Sequence, residues 1–408
     1  MRTDTVRGSF AEIPPTAGLP LRLRDLLPPW RSDFAAFAAG HIGAAGGGIE
    51  CSGTACLIVI LTALRQRSSR RTVVVPAYTC PLVVFAIAHC GLKVCVCDLA
   101  PDSFELDPLS LRAACNADTL AVIPTHLAGR IAGLDEVIAI AHAANAFVIE
   151  DAAQAFGARQ GGVSVGLKGD AGFFSFAAGK GLSLYEGGLW VARDAAMRAA
   201  LSQASAQVIP GSFKLEALRC LQLAGYAALY RPVPLRLVYG APLRRALRRN
   251  DAIEAAGDDF SAEIPLHRVS AWRKSVGSHA LLRLAGFQSE LAVQAERRLP
   301  QLAALDGVKV LGDMPNAQGV WPSLLVLMPS AATRDAAMAR LWGAKLGVAR
   351  MFAFALPDYP YLRALVPQTD VPNARDFAAR SLTISNSLWL DQARFERILT
   401  VLAEVLAS

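Results

Sequence analysis

Apolar runs and amphipathic stretches alternate through the first half of the chain. Residues 54–65, 82–89, 109–115 and 134–144 carry helical patterning, and 72–75, 94–97, 120–124, 147–150, 171–176 and 188–192 read as strands. Runs such as Val73-Val74-Val75 and Ala121-Val122-Ile123 are apolar without alternation, the pattern of parallel strands covered on both faces. Strands and helices in this order predict an α/β domain with a mainly parallel sheet. The glycine-rich run 46–48 fits no phosphate-loop or dinucleotide fingerprint and reads as a flexible turn.

The pattern changes after residue 205. Residues 205–262 have few strand signals, and Pro210, Pro232, Pro234 and Pro242 cut them into short helices. The longest piece, 212–230, reads as one amphipathic helix, and the whole stretch as an insertion or lid. The acid-rich segment 250–263 reads as an exposed loop. A long helix is expected over 278–298. Strands at 308–311, 323–328 and 348–352, with helices at 333–345 and 391–407, then suggest a smaller C-terminal α/β domain. The expected division is 1–276 for the large domain and 277–408 for the small one.

Composition narrows the setting. Of 408 residues, 53% are apolar and 18% charged, so the chain is rich in core-forming residues. No apolar run is long enough to suggest a membrane span, and the first ten residues lack the apolar centre of an export signal, so a cytoplasmic location is expected. The eight cysteines then read as buried thiols, not as disulfides or metal ligands. The net charge of +7 comes from scattered arginines without an aromatic-interleaved motif, which argues against a nucleic-acid partner. The densest cluster, Arg244, Arg245, Arg248 and Arg249, reads as a solvated helix face, with contact to an anionic membrane surface through 205–262 as the alternative.

The candidate chemistry lies at strand ends. Asp151 follows the apolar strand 147–150, where α/β proteins bind ligands. Ser52, Gly53, Thr54 and Ala55 open a helix, whose free N–H groups suit a phosphate. Lys180 follows the strand containing Phe174-Ser175-Phe176. A phosphate turn, a buried acid and a lysine in this order along the chain are what pyridoxal phosphate (PLP) requires: a cup for the phosphate, a partner for the ring nitrogen and a covalent anchor. Ala153 is small enough to lie against the ring, and Gln154 has a donor for the ring oxygen. No metal site is expected.

These segments resemble the DegT-type sugar aminotransferases, PLP enzymes of the aspartate aminotransferase fold (fold type I). The resemblance runs through Ser52-Gly53-Thr54-Ala55, Val75-Pro76-Ala77-Tyr78-Thr79, Pro124-Thr125-His126-Leu127-Ala128-Gly129, Glu150-Asp151-Ala152-Ala153-Gln154-Ala155, Phe174-Ser175-Phe176 with Lys180, and Glu186-Gly187-Gly188. It implies that Lys180 is the Schiff-base lysine and proton shuttle and that Asp151 pairs with the ring nitrogen. Gln154 would touch the ring oxygen, and Gly53, Thr54 and Ser175 would hold the phosphate, with Ala55 and Ala153 beside them. Arg268 matches an arginine that reaches into a neighbouring subunit's site, which implies a homodimer with shared active sites. Tyr78, His126 and Arg350 fall in substrate-side blocks. His126 reads equally well as a hydrogen-bonded structural histidine. Cys80 stands where an aromatic residue usually stacks on the ring.

The expected reaction moves an amino group from an amino acid such as glutamate to a keto sugar, carried on a nucleotide, in polysaccharide or secondary-metabolite synthesis. Two alternatives stay open: a same-fold enzyme with a non-nucleotide or membrane-proximal acceptor, and a catalytically silent scaffold that binds PLP.

Overall fold

The computed structural model describes residues 11–28 and 33–408. Its main sheet has seven strands: β1 Gly47–Glu50, β2 Thr72–Pro76, β3 Lys93–Cys97, β4 Thr119–Val122, β5 Phe147–Asp151, β6 Ala171–Ser175 and β7 Gly188–Val191. They lie in the order β1-β7-β6-β5-β4-β2-β3. The five strands from β6 to β3 run parallel, β7 is antiparallel to β6, and β1 is antiparallel to β7. The continuous apolar runs are explained by burial: Val73, Val74, Val75, Ala121, Val122, Val148 and Ile149 are all sealed from solvent.

Strand β1 replaces the flexible turn expected at 46–48. Gly48 pairs with Trp190, and a Cβ there would stand 2.3 Å from the indole ring. Glycine is needed for this close approach, and that hid a strand inside a turn-like composition.

A second, antiparallel sheet follows: β8 Lys309–Leu311, β9 Ser323–Leu327, β10 Val348–Ala349 and β11 Ser381–Ser385, in the order β8-β9-β11-β10. β11 was not foreseen because Ser-Leu-Thr-Ile-Ser carries polar residues at positions that are nonetheless buried. The expected helix at 278–298 is two helices, α-helical over Ala271–Leu281 and Leu284–Ala303, with Leu282 and Arg283 between them.

The insertion contains helix Phe213–Leu229, close to the expected span, then short helices at Pro232–Leu235 and Ala241–Arg248 joined by a π-helical turn at Arg236–Gly240. Segment 250–263 departs from the expected exposed loop. It holds a helical turn, Ala252–Ala256, and the buried Asp258, whose Oδ2 accepts from Ala353 N–H (2.7 Å) and Tyr359 O–H (2.6 Å). All eight cysteines are free thiols.

Candidate active site

Topology brings the candidate residues to one edge of the sheet. β5 and β6 are parallel neighbours, with Asp151 opposite Phe173, so Asp151 and Ser175 leave the sheet side by side. β1 points the same way and hands the chain to helix Gly53–Arg67, whose N-terminus therefore faces the same edge. The two meet directly: a Cβ on Gly53 would sit 3.1 Å from Ser175 Cβ.

Ser52 caps this helix, its Oγ accepting Ala55 N–H at 3.0 Å. That bond occupies the Ala55 amide and leaves the Gly53 and Thr54 amides, with the positive end of the helix dipole, for an anion. Ser175 Oγ stands beside them.

After β6 the chain forms a tight excursion closed by Phe176 N–H to Gly187 O (2.7 Å), Leu184 N–H to Phe176 O (2.9 Å) and Ala178 N–H to Tyr185 O (2.7 Å). Within it Gly179 takes φ +79°, and its carbonyl accepts Thr16 Oγ1–H at 2.7 Å. This turn aims Lys180 inward. Lys180, Ala153, Gln154 and Ser175 line one small cavity. Lys180 and Gln154 also line a larger cleft of about 290 Å³, shared with Arg350 and Phe352 of the second sheet's side.

Electrostatics match the geometry. Burial pushes the Asp151 carboxyl up to about 6, against the pull of the Ala153 N–H (3.0 Å to Oδ1) and of the Lys180 charge. Burial lowers the Lys180 amine, while Cys80 and Asp151 pull it back up. Each of the two groups therefore feels the other's charge. Gln154 Oε1 accepts Ala128 N–H at 2.9 Å, which turns its amide N–H₂ toward the cavity as a donor. A buried acid, an inward lysine, an oriented amide donor and a helix N-terminus beside a serine are a donor set that fits pyridoxal phosphate.

Similarity to known proteins agrees. Residues 30–214 match the model of the DegT/DnrJ/EryC1/StrS aminotransferase family. This family segment contains the helix cup, Asp151, Gln154, Ser175 and Lys180. Among curated relatives, a putative L-glutamine:3-amino-2,3-dideoxy-scyllo-inosose aminotransferase of Streptomyces kanamyceticus is 36% identical over 161 residues, 40% of this chain and 38% of that one. The GDP-perosamine synthase of Caulobacter vibrioides is 36% identical over 122 residues, 30% of this chain and 33% of that one. The matched part thus spans well under half the length of these relatives. Solved structures cover nearly the whole chain. The putative sugar aminotransferase Spr1654 of Streptococcus pneumoniae in its PLP form gives TM-score 0.74 at 17% identity, over 97% of this chain and 99% of that one. S. venezuelae DesV in complex with a ketimine intermediate gives 0.69 at 23%, over 94% and 90%. The fold is therefore fold type I, that of PLP-dependent sugar aminotransferases.

The substrate-side candidates divide. Arg350 lines the cleft; it bonds Asp335 Oδ1 (3.2 Å) and stands 5.4 Å over the Trp342 ring. Tyr78 is buried away from the cleft, its hydroxyl donating to Phe352 O (3.3 Å) and accepting Phe352 N–H (3.1 Å). It fastens the second sheet's side to the matched segment and is not among the residues lining the cleft. His126 is fully buried. Its Nδ1 accepts Ala132 N–H (3.1 Å), so Nε2 carries the proton and donates to Glu150 Oε2 (3.0 Å). Glu150 also takes the N–H groups of Gly166, Lys168 and Gly169, so this histidine holds a turn, the structural of its two readings. Arg268 is exposed, its Nε on Ile209 O (3.3 Å), outside the residues that line its own Lys180 cleft.

Three contributors escaped sequence reasoning. Thr16 and Gln288 line the Lys180 cavities, and Gln288 Nε2 donates to Phe156 O at 2.7 Å. Neither sits in a motif, and only the fold brings them there. The third is Arg273, fully buried, which donates to the carbonyls of Leu184 (3.2 Å) and Glu186 and so clamps the lysine loop.

Proposed function

We propose that this chain is a PLP-dependent aminotransferase that moves an amino group from an amino acid, glutamate in the simplest case, to a keto sugar. The observation that carries the reading is the convergence of Lys180, Asp151, Gln154 and the Gly53–Ser175 cup on one sheet edge. The curated relatives, named for sugar or aminocyclitol acceptors, support it.

When bound, PLP takes up the electron pair left on the substrate carbon and carries the amino group between two half-reactions. This chain's residues do the rest. Gly53 and Thr54 N–H and Ser175 Oγ hold the phosphate. Asp151, as carboxylate above about pH 6, keeps a proton on the ring nitrogen. Gln154 Nε2 donates to the ring oxygen, and Ala153 leaves room for the ring. Lys180 Nζ, its affinity for protons reduced by burial, accepts the proton from the substrate carbon and returns it on the cofactor side. Arg350 lines the cleft, which supports a role in meeting an anionic group of donor or acceptor.

We further place the chain as a cytoplasmic homodimer. Arg268, exposed and outside its own cleft, suits a residue that completes the neighbouring subunit's site. Among the described residues, no helix is long and apolar enough to cross a membrane. The test is a half-reaction: PLP-loaded protein mixed with excess glutamate should yield stoichiometric 2-oxoglutarate, and Lys180→Ala should yield none. No keto acid from any amino acid would leave only a silent cofactor-binding scaffold.

A further inference from the structure

The insertion borders a half-open pocket that the reaction above does not use. A cavity of about 510 Å³ lies between helix Phe213–Leu229, the π-helical turn and the lysine loop, within the size range of ligand sites, roughly 300–1,000 Å³. Its walls are mainly aliphatic and aromatic, with Thr16 and Gln222 as the polar side chains among them. Tyr226 and Tyr230 stack at 4.7 Å between centroids and turn their hydroxyls into the protein: Tyr230 O–H donates to Thr16 O (3.2 Å) and accepts Gly18 N–H (3.1 Å), and Tyr226 Oη accepts Gly179 N–H (3.5 Å). The ring faces, not the hydroxyls, are left for an occupant. Tyr185 completes the wall at φ +67°, a left-handed conformation that a bulky side chain adopts only when its surroundings impose it.

Gly225 is the second observation. It lies inside helix Phe213–Leu229, where glycine weakens a helix, and a Cβ there would meet nothing within 4 Å. No close approach requires glycine at this point; what its missing side chain preserves is the cavity, which it lines. The third is continuity. Pro15, Thr16, Val238 and Tyr239 line both this cavity and the Lys180 cleft, and Ala178-Gly179 of its wall lead directly into Lys180. At the outer rim, Leu229 and Val238 are exposed. Leu221 (71% exposed) and Leu237 (74%) are exposed on the same insertion, as are Arg245 and Arg248.

We propose that this cavity binds a long apolar chain, and that the keto acceptor carries that chain into the Lys180 cleft. The wall chemistry selects a hydrocarbon or isoprenoid tail, and the junction at Thr16 and Tyr239 puts the polar head beside Lys180. The exposed leucines and arginines suit delivery from an anionic bilayer, the leucines entering the acyl boundary and the guanidinium groups meeting the headgroups. The acceptor's identity rests on the aminotransferase reading; the occupancy of the cavity does not.

The test uses the native, PLP-loaded full chain and cis-parinaric acid, a fluorescent single-chain lipid. Saturable binding near one probe per chain is expected. Gly225→Phe should fill the cavity and weaken binding by about tenfold or more, while Gly225→Ala should keep it. Retention of the cofactor's visible band in both variants shows that they are folded with the Lys180 site unharmed. Co-sedimentation with phosphatidylglycerol vesicles that is lost in Leu237→Glu assigns the chain to a bilayer source; parinaric acid binding without sedimentation assigns it to a soluble amphiphile. Absence of saturable binding, or equal binding in Gly225→Phe, overturns the proposal. The first of these is also the result expected if a second copy of the chain closes the cavity. A protein that binds the probe yet shows no cofactor band would overturn the aminotransferase reading alone.

Discussion

Asp151 shows at the scale of one residue how a site is made at the expense of stability. Its folded pKa, about 6, lies above the value of an unfolded aspartate, about 3.9. The folded cofactor-free protein therefore holds more protons than the unfolded chain between those values. Its stability falls as pH rises through the window, and the full penalty persists above pH 6. Asp151→Asn removes that penalty while keeping an oxygen for Ala153 N–H. In the absence of PLP the variant should be more stable than the parent at pH 8 by on the order of 2 kcal/mol, with the gain gone by about pH 4; urea unfolding at the two pH values measures this. The same variant should lose amino transfer by about a hundredfold or more, because the ring nitrogen loses its anion. A variant destabilised at pH 8 would contradict the burial account. The motif residues were legible because strand ends in a parallel sheet converge: Asp151 and Lys180 each follow a readable apolar run. Tyr78 and His126 sit in equally readable blocks, yet their side chains turn to hydrogen bonds within the fold, with Phe352 and with Glu150, and nothing in sequence spacing shows which way a side chain turns.

At the scale of elements, the insertion is fastened to the lysine loop by charge. Glu216 on helix Phe213–Leu229 accepts from Arg273 Nε and Nη2 (2.8 Å each) and Ser270 N–H (2.8 Å), and pairs with His267 at 3.2 Å. Arg219, one turn on, pairs with Glu186 at 2.9 Å. Burial alone would raise the Glu216 carboxyl, but the bonds from His267, Arg273 and Ser270 hold it well below the usual range. Glu216→Gln should destabilise the protein by about 3 kcal/mol, since it strands two buried cations. It should also loosen the lysine loop, read as faster proteolysis or hydrogen exchange over 177–187. For His267, burial lowers the pKa, but the neighbouring Cys51, the Glu216 carboxylate and the hydrogen bond to the Pro265 carbonyl outweigh it and bring the value to about 10. A raised histidine stabilises fully below its ordinary value of about 6.5, and that contribution disappears as pH rises through about 10. His267→Gln should flatten the decline in thermal stability across that interval; an unchanged slope would show that His267 is neutral in the fold. None of this clamp was legible in sequence, because Glu216, His267 and Arg273 lie on different elements and no motif links them. The same holds for β1 and β11, whose glycine and hydroxyl residues are strand residues only because of what packs on them.

The whole molecule repeats the contrast. The parallel half of the main sheet could be read from continuous apolar runs, and with it the edge where the site forms. The antiparallel additions, and the insertion with its cavity, depend on contacts between distant segments. A homodimer with shared sites makes a prediction at this scale. Lys180→Ala and Arg268→Ala, each inactive alone, should regain activity when mixed and allowed to exchange subunits, approaching about a quarter of the wild-type sites at equal amounts. No recovery after exchange would place Arg268 in its own subunit's chemistry or outside it altogether. The central claim, that Lys180 anchors pyridoxal phosphate, has the most direct test. The purified chain should take up one PLP with a visible absorbance band, and borohydride should then fix a pyridoxyl group on Lys180, found by peptide mass spectrometry. A protein that stays colourless with added PLP, or carries the label on another lysine, contradicts the account.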